Sequence, residues 1–290
     1  MKYAIYLPTF TPFDRPQIIA DLAQDAEQSG WDGVFIWDDV AGTDKDMTDP
    51  WIALAAAATV TKRVKVGALI TPLARRRPWK FARETVSLDH LSGGRLVVGV
   101  GVGGGQEQFG DLGEEANQRV RGEMLDEALE IVDGLWSGES FQFTGRYYQL
   151  KPATFRPKPI QQPRIPIWVG GVWPHKRPME RMAQWDGMFP LFWGIDDPVE
   201  QRICLRQMVA AVLSKRRESQ ADISRRPLDV VVAGETPSDR PEWTEDHVAR
   251  FAESGATWWL ESLAPERGGG LAWSFDRLRE RVLAGPLGSR

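Results

Sequence analysis

Four times in its first hundred residues the chain alternates a short apolar run with a helix-periodic stretch. No other feature restricts the fold as much. The runs cover residues 3–7, 33–37, 64–70 and 96–100. Apart from Lys65, each is apolar at successive positions, as expected of strands buried on both faces of a parallel sheet. Between the first two, residues 15–30 place Ile18, Ile19, Leu22, Ala23 and Ala26 on one helical stripe that ends at Gly30. Pro50–Val60 reads as an alanine-rich helix with Asp49 positioned to cap it, and Pro78–Leu91 as a third helix. Parallel neighbours require crossovers, so this alternation specifies an α/β architecture with helices outside the sheet.

The second part continues the count less regularly. Residues 103–117 are rich in Gly and Glu and are expected as a mobile loop. Residues 119–136 form an amphipathic helix on Met124, Leu125, Ala128, Leu129, Val132 and Leu135. Residues 141–150 alternate around Thr144-Gly145 as a hairpin, and 151–166 are a proline-studded connector. Further strands are expected at 167–169, 187–192, 228–233 and 257–260, with helices at 177–184, 197–218, 241–254 and 273–282. Eight strand–helix units in 290 residues predict closure as a single-domain (β/α)8 TIM barrel over 1–290. A rim loop and small hairpin are inserted between its fourth and fifth strands, at about 104–164.

Composition removes several classes of function. A formal net charge of −4 argues against a nucleic-acid surface. One cysteine, Cys204, forbids an intrachain disulfide and a multi-cysteine metal site. His90, His175 and His247 are too scattered for a zinc cluster, so no metal is expected. The opening MKYAIYLPTF reads as a strand and not as a signal peptide, and no apolar run approaches membrane-spanning length. A cytoplasmic protein without membrane contact is expected. Thirteen tryptophans point to bulky packing or to aromatic cavity walls.

Residues 99–104, GVGVGG, match G-x-G-x-x-G after a strand. A dinucleotide fingerprint would open a helix directly after the first strand. Here the strand is the fourth, and 105–117 intervene before a helix. The steric content survives, because backbone without Cβ atoms can approach a planar ring or a phosphate. In a barrel, chemistry sits at the C-terminal ends of the strands. Those ends carry Thr9, Asp38, Asp39, Thr71, Gly101, Val102, Gly103, Gly170, Gly171, Trp193, Glu235 and Ser262. The set has glycines, aromatics and a few acids but no nucleophile–base pair, which suits an organic cofactor that brings its own reactive atom.

Four segments, 64–103, 121–150, 156–171 and 183–190, together resemble the bacterial luciferase-like monooxygenase superfamily. The run LDHLSGGRLVVGVG is the most specific part, and the resemblance extends in order to about residue 195. It implies a flavin-dependent oxidoreductase, a monooxygenase on a small organic substrate, with FMN as cofactor. A separate flavin reductase and a homodimer are the partners it suggests. Alternatives are a reductase or dehydrogenase using the deazaflavin coenzyme F420, and a non-catalytic flavin-binding barrel.

The resemblance also implies a non-prolyl cis peptide at Leu69-Ile70, supporting the ring. Asp38 matches an acid that flanks the ring and is a catalytic candidate. Gly101, Val102 and Gly103 match the segment beside the ring, and Gly170 and Gly171 the pair whose N–H groups face the phosphate. Two positions depart from the deazaflavin dehydrogenases: Asp39 stands where they carry histidine, and Gly104 where they carry glutamate. Asp39 itself reads as a capping or loop-anchoring residue. His175 is the only histidine expected near the rim, and so a second catalytic candidate. Arg75, Arg76 and Arg77 can meet an anion or pair with Glu114 or Glu115. Trp37, Trp173 and Trp193 are candidates for the cavity wall.

Overall fold

All four early runs become strands: β1 (Lys2–Leu7), β2 (Gly33–Ile36), β3 (Lys65–Pro72) and β4 (Leu96–Gly101). The structure is a computed structural model that describes residues 1–41, 44–219, 227–236, 241–264 and 274–287. A hairpin follows, β5 (Ser140–Thr144) and β6 (Gln149–Thr154), and then β7 (Ile167–Val172), β8 (Gly187–Leu191), β9 (Asp229–Gly234) and β10 (Trp258–Ser262). The helices are α1 (Pro16–Gln28), α2 (Pro50–Val60), α3 (Pro78–Leu91), α4 (Gln118–Trp136), α5 (Lys176–Gln184), α6 (Pro198–Glu218), α7 (Pro241–Glu253) and α8 (Phe275–Leu283). Eight parallel strands close in the order β1-β2-β3-β4-β7-β8-β9-β10, and β10 pairs back to β1 from Lys2↔Trp258 to Tyr6↔Ser262. This is the expected (β/α)8 barrel, with the hairpin outside it. Trp273, expected to begin the closing helix, lies outside the described residues.

Apolar packing falls into two layers. One lies between strands and helices; the other fills the barrel with Ala4, Phe35, Leu69, Val97, Trp168, Phe189, Val231, Trp258 and Leu260. Within the barrel, Phe35 lies 5.1 Å from Trp168, and Trp168 lies 5.3 Å from Trp258, ring centre to ring centre. Their indole N–H groups converge on Asp229 at 3.2 and 3.1 Å, so the buried rings keep satisfied polar atoms. Burial pushes the Asp229 carboxyl above its usual range. These tryptophans serve packing, the plainer of the two uses suggested by their number.

Two local expectations need correction. The second hairpin strand continues to Thr154, pairing with Ser140, and so takes in part of the connector. Its pairing shifts register between Phe141 and Phe143, and that irregularity accommodates Pro152. The rim loop expected to be mobile is anchored. Phe109 is 1% exposed and stacked between two guanidinium groups, Arg75 at 4.6 Å and Arg121 at 3.8 Å. Arg121 also donates to the carbonyls of Val102, Glu115 and Ala116 at 2.8–2.9 Å, stitching both ends of the loop to α4. A loop that looks polar in sequence is thus held by one aromatic residue and one buried arginine. Among the described residues no helix is long and apolar enough to cross a membrane.

Candidate active site

The site is built on a slip of one residue in strand pairing. β3 and β4 run in register from Val66↔Leu96 to Ala68↔Val98, then resume at Thr71↔Val100. Three steps along β3 match two along β4, so Leu69 and Ile70 bulge from the ladder. The Leu69-Ile70 peptide is cis, as the resemblance implied. Glycines make room for this bulge. A Cβ on Gly99 would stand 2.2 Å from Leu69 Cδ2, and one on Gly170 2.0 Å from Ile70 Cδ1. One on Gly101 would stand 3.2 Å from Ile70 Cγ2. The glycine fingerprint of the fourth strand therefore has a steric cause inside the protein. Gly171 faces the other way: its Cβ would meet Pro178 of α5 at 2.4 Å. The Tyr6 hydroxyl donates to the Leu69 carbonyl at 2.5 Å and fixes the bulge from β1.

Above the bulge, at the C-terminal ends of the strands, opens a cavity of about 900 Å³. Tyr6, Trp37, Ile70, Phe189, Leu191 and Trp193 give it an aromatic and apolar side. Leu69, Val102, Gly103, Gly170 and Gly171 also reach its wall, whereas Gly101 and Trp173 do not. The volume is at the upper end of the roughly 300–1,000 Å³ typical of small-molecule sites. A separate groove between α4 and α5, about 660 Å³, has no strand-end residue on its wall.

The two adjacent acids after β2 have opposite environments. Asp38 is 2% exposed and accepts from Thr71 Oγ1 at 2.6 Å, Trp51 Nε1 at 2.8 Å and Arg76 at 3.3 Å. Its oxygens are engaged by the protein. Asp39 is half-buried on the cavity wall, and its carboxylate accepts no hydrogen bond among the described residues. Burial first, then the neighbouring charges of Asp38 and Glu107, push its carboxyl up to about 6 against the opposing pull of Arg75. The arginine triplet is divided. Arg75 pairs with Glu114 at 3.2 Å, Arg76 reaches Asp38 and, at 3.6 Å, Glu84, and Arg77 is the residue preceding α3.

The other end of the cavity is exposed and carries more cations than anions, with Glu123 and Asp126 also on its wall. His175 is the N-cap residue of α5, with extended backbone and no side-chain capping bond. Lys176 and Arg177 follow, 81% and 77% exposed, and Arg119 joins them from α4. First-turn N–H groups of a helix have no intrahelical acceptor; Pro178 offers no N–H, so those of Lys176 and Arg177, with these cations, favour an anion. His175 therefore sits beyond β4, with β3 and β4 between its strand and that of Asp38. Sequence reading missed Tyr6, Trp51 and Gln108, and it singled out Thr71 and Arg76 without seeing them as partners of Asp38. Only Tyr6 had a usable signal, a polar tip one residue before the end of a strand.

Comparison with known proteins agrees with the fold. The chain matches the family described as luciferase-like monooxygenase over residues 1–279. An uncharacterised protein of Mycobacterium tuberculosis is 32% identical over 211 residues, 72% of this chain and 67% of that one. An F420-dependent glucose-6-phosphate dehydrogenase of Nakamurella multipartita is 34% identical over 166 residues, 55% of this chain and 48% of its own length. Among solved structures, an F420-dependent secondary alcohol dehydrogenase in complex with an F420-acetone adduct superposes with a TM-score of 0.74 at 19% identity. That superposition covers 90% of this chain and 92% of the other.

Proposed function

The chain belongs to the luciferase-like monooxygenase family, and on that premise we propose that it is a deazaflavin-dependent oxidoreductase acting on a small organic substrate. The observation that carries this reading is the two-ended cavity. Its apolar end, floored by Ile70 and walled by Tyr6 and Trp37, fits a planar ring. The first turn of α5, with His175, Lys176 and Arg177, fits a phosphate. Arg119 extends this cationic strip toward solvent, which suits an acidic side chain longer than one phosphate. The present partners of these cations, Glu123 and Glu180, form exposed pairs that cost little to rearrange. Similarity to the F420-dependent relative supports the same choice.

When bound, the deazaflavin supplies two-electron hydride chemistry. The protein orients the ring on the bulge, neutralises the anionic end and keeps water from the apolar end. Asp38 holds Thr71, Trp51 and Arg76 in place behind the ring position, a positioning role. His175 belongs with the anion-binding end.

A second reading, an FMN monooxygenase, is favoured by Asp39 and Gly104, which stand where deazaflavin dehydrogenases carry histidine and glutamate. Separate titrations with F420 and FMN, followed by fluorescence, test the choice. F420 is expected to bind at micromolar concentration and FMN at least about tenfold more weakly. The reverse order would select the second reading, and binding of neither at tens of micromolar would overturn both.

A further inference from the structure

We infer that Asp39 is the residue that exchanges a proton with the substrate in this cavity, while its neighbour Asp38 is committed to structure. The inference rests on the cavity being the substrate site, as proposed above. Its basis is how differently the chain treats two consecutive carboxylates. Asp38 has donors from three segments: Trp51 of α2, Thr71 of β3 and Arg76 beyond it. Asp39 has none among the described residues, yet its backbone is fixed on both sides. Asp38 anchors the preceding residue. On the following side, the Val40 N–H donates to Gln108 Oε1 at 3.2 Å, and Gln108 Nε2 donates to the Ala41 carbonyl. Arg75 in turn donates to the Gln108 carbonyl, tying this clamp to the anchored rim loop. A carboxylate on a fixed backbone, accepting no hydrogen bond among the described residues and lining a cavity, is placed to bond a ligand.

The charged groups around Asp39 are Asp38 on its own segment, Glu107 from the rim loop and Arg75 from the turn after β3. Two negative neighbours and partial burial favour the protonated form; Arg75 opposes them but is already paired with Glu114. The carboxyl therefore titrates close to neutrality, where a proton can be both given and taken. Other titratable groups on the wall are less available: Glu123 already accepts from Arg119, Arg146 and Tyr147, and Asp126 from Arg181. The Tyr6 hydroxyl points its proton at the Leu69 carbonyl, and His175 lies at the exposed start of α5. Tyr6, Trp37 and Trp193 wall the same cavity, so the substrate class is an uncharged organic molecule with a hydroxyl or carbonyl oxygen. With a deazaflavin bound to accept hydride from carbon, Asp39 would take the hydroxyl proton of such an alcohol, the alcohol O–H bond breaking as that of Asp39 forms. Carbonyl reduction is the reverse.

Carboxyl-13C aspartate labelling tests this directly. In the cofactor-free protein one resonance is expected to titrate near pH 6 and to vanish in Asp39→Asn. In the deazaflavin complex, cyclohexanone, benzaldehyde or 2-octanone is expected to raise that midpoint, because a carbonyl oxygen accepts a hydrogen bond only from the protonated acid. With any carbonyl compound that is turned over, Asp39→Asn is expected to lose about a hundredfold in kcat and the pH limb near 6, with cofactor affinity within about twofold of wild type. Asp39→Glu is expected to restore the limb. A midpoint in the ordinary aspartate range, or no response to any of the three probes, would overturn the inference. Failure of every flavin and deazaflavin to bind would overturn the functional reading instead, and the titration of the free protein would still report Asp39.

Discussion

The two ends of the cavity are made differently. On the β2–β3 side, a buried carboxylate gathers three donors, a tyrosine pins the Leu69-Ile70 bulge and glycines of two other strands give the bulge its space. At the start of α5 the cations are more than three-quarters exposed and pair only with Glu180 of the same helix among the described residues. The first end holds its shape through desolvated contacts that cannot be altered singly. The second offers charge without fixed geometry, screened by solvent. An oriented ring needs the first kind of construction, and a flexible anionic chain needs only the second.

Substitutions should separate the ends sharply. Asp38→Ala leaves Thr71, Trp51 and Arg76 without their acceptor and is expected to cost about 3 kcal/mol in urea denaturation. A loss under about 1 kcal/mol would break the contrast. Next, Gly170→Ala drives a methyl into Ile70 and is expected to cost about 2 kcal/mol, with weaker cofactor binding as the bulge shifts. If Gly170→Ala is neutral, the bulge is not tightly held.

Asp39→Asn reverses the sign. Because the folded protein raises this carboxyl to about 6 from 3.8, the ionised form works against folding. That penalty is complete above about pH 6, shrinks as pH falls and is absent below the unfolded value near 3.8. The variant should therefore gain on the order of 1–2 kcal/mol at pH 7–8 and nothing at pH 3.5, measured by denaturation across that range. Equal stability of the two proteins at pH 8 would argue that Asp39 is solvated. The smallest stability effect is expected from Lys176→Gln with Arg177→Gln, within about 0.5 kcal/mol. Its cost should appear in cofactor affinity, about tenfold at low salt and much less at high salt, by titration at two ionic strengths. A salt-independent loss would show that these side chains make fixed contacts after all.

Much of the fold was legible because its signals are local. Apolar runs at 3–7 and 96–100, the Asp49 cap and the stripe through Leu125, Ala128 and Val132 each declare their element within a few residues. Asp49 does cap α2, accepting from the Ile52 N–H at 2.9 Å. The rim loop was misread because its single anchor, Phe109, is hidden among polar residues, and its clamps come from Arg75 and Arg121. The site was legible only as a set of strand ends. Nothing near Asp38 in the sequence announces Trp51, Thr71 or Arg76.

By itself, then, the sequence determined the eight-unit barrel and the family, since each follows from periodicity or from a contiguous motif, and it marked the strand ends proposed to hold a cofactor. The tertiary structure decided what each rim residue does. A slip of one residue between β3 and β4 turns Ile70 toward Gly101 and Gly170, and brings Thr71 to Asp38. Of two neighbouring acids that look alike in the chain, one is thereby saturated and the other left facing the cavity. Partners that arrive from distant segments set that difference, and no local pattern records them.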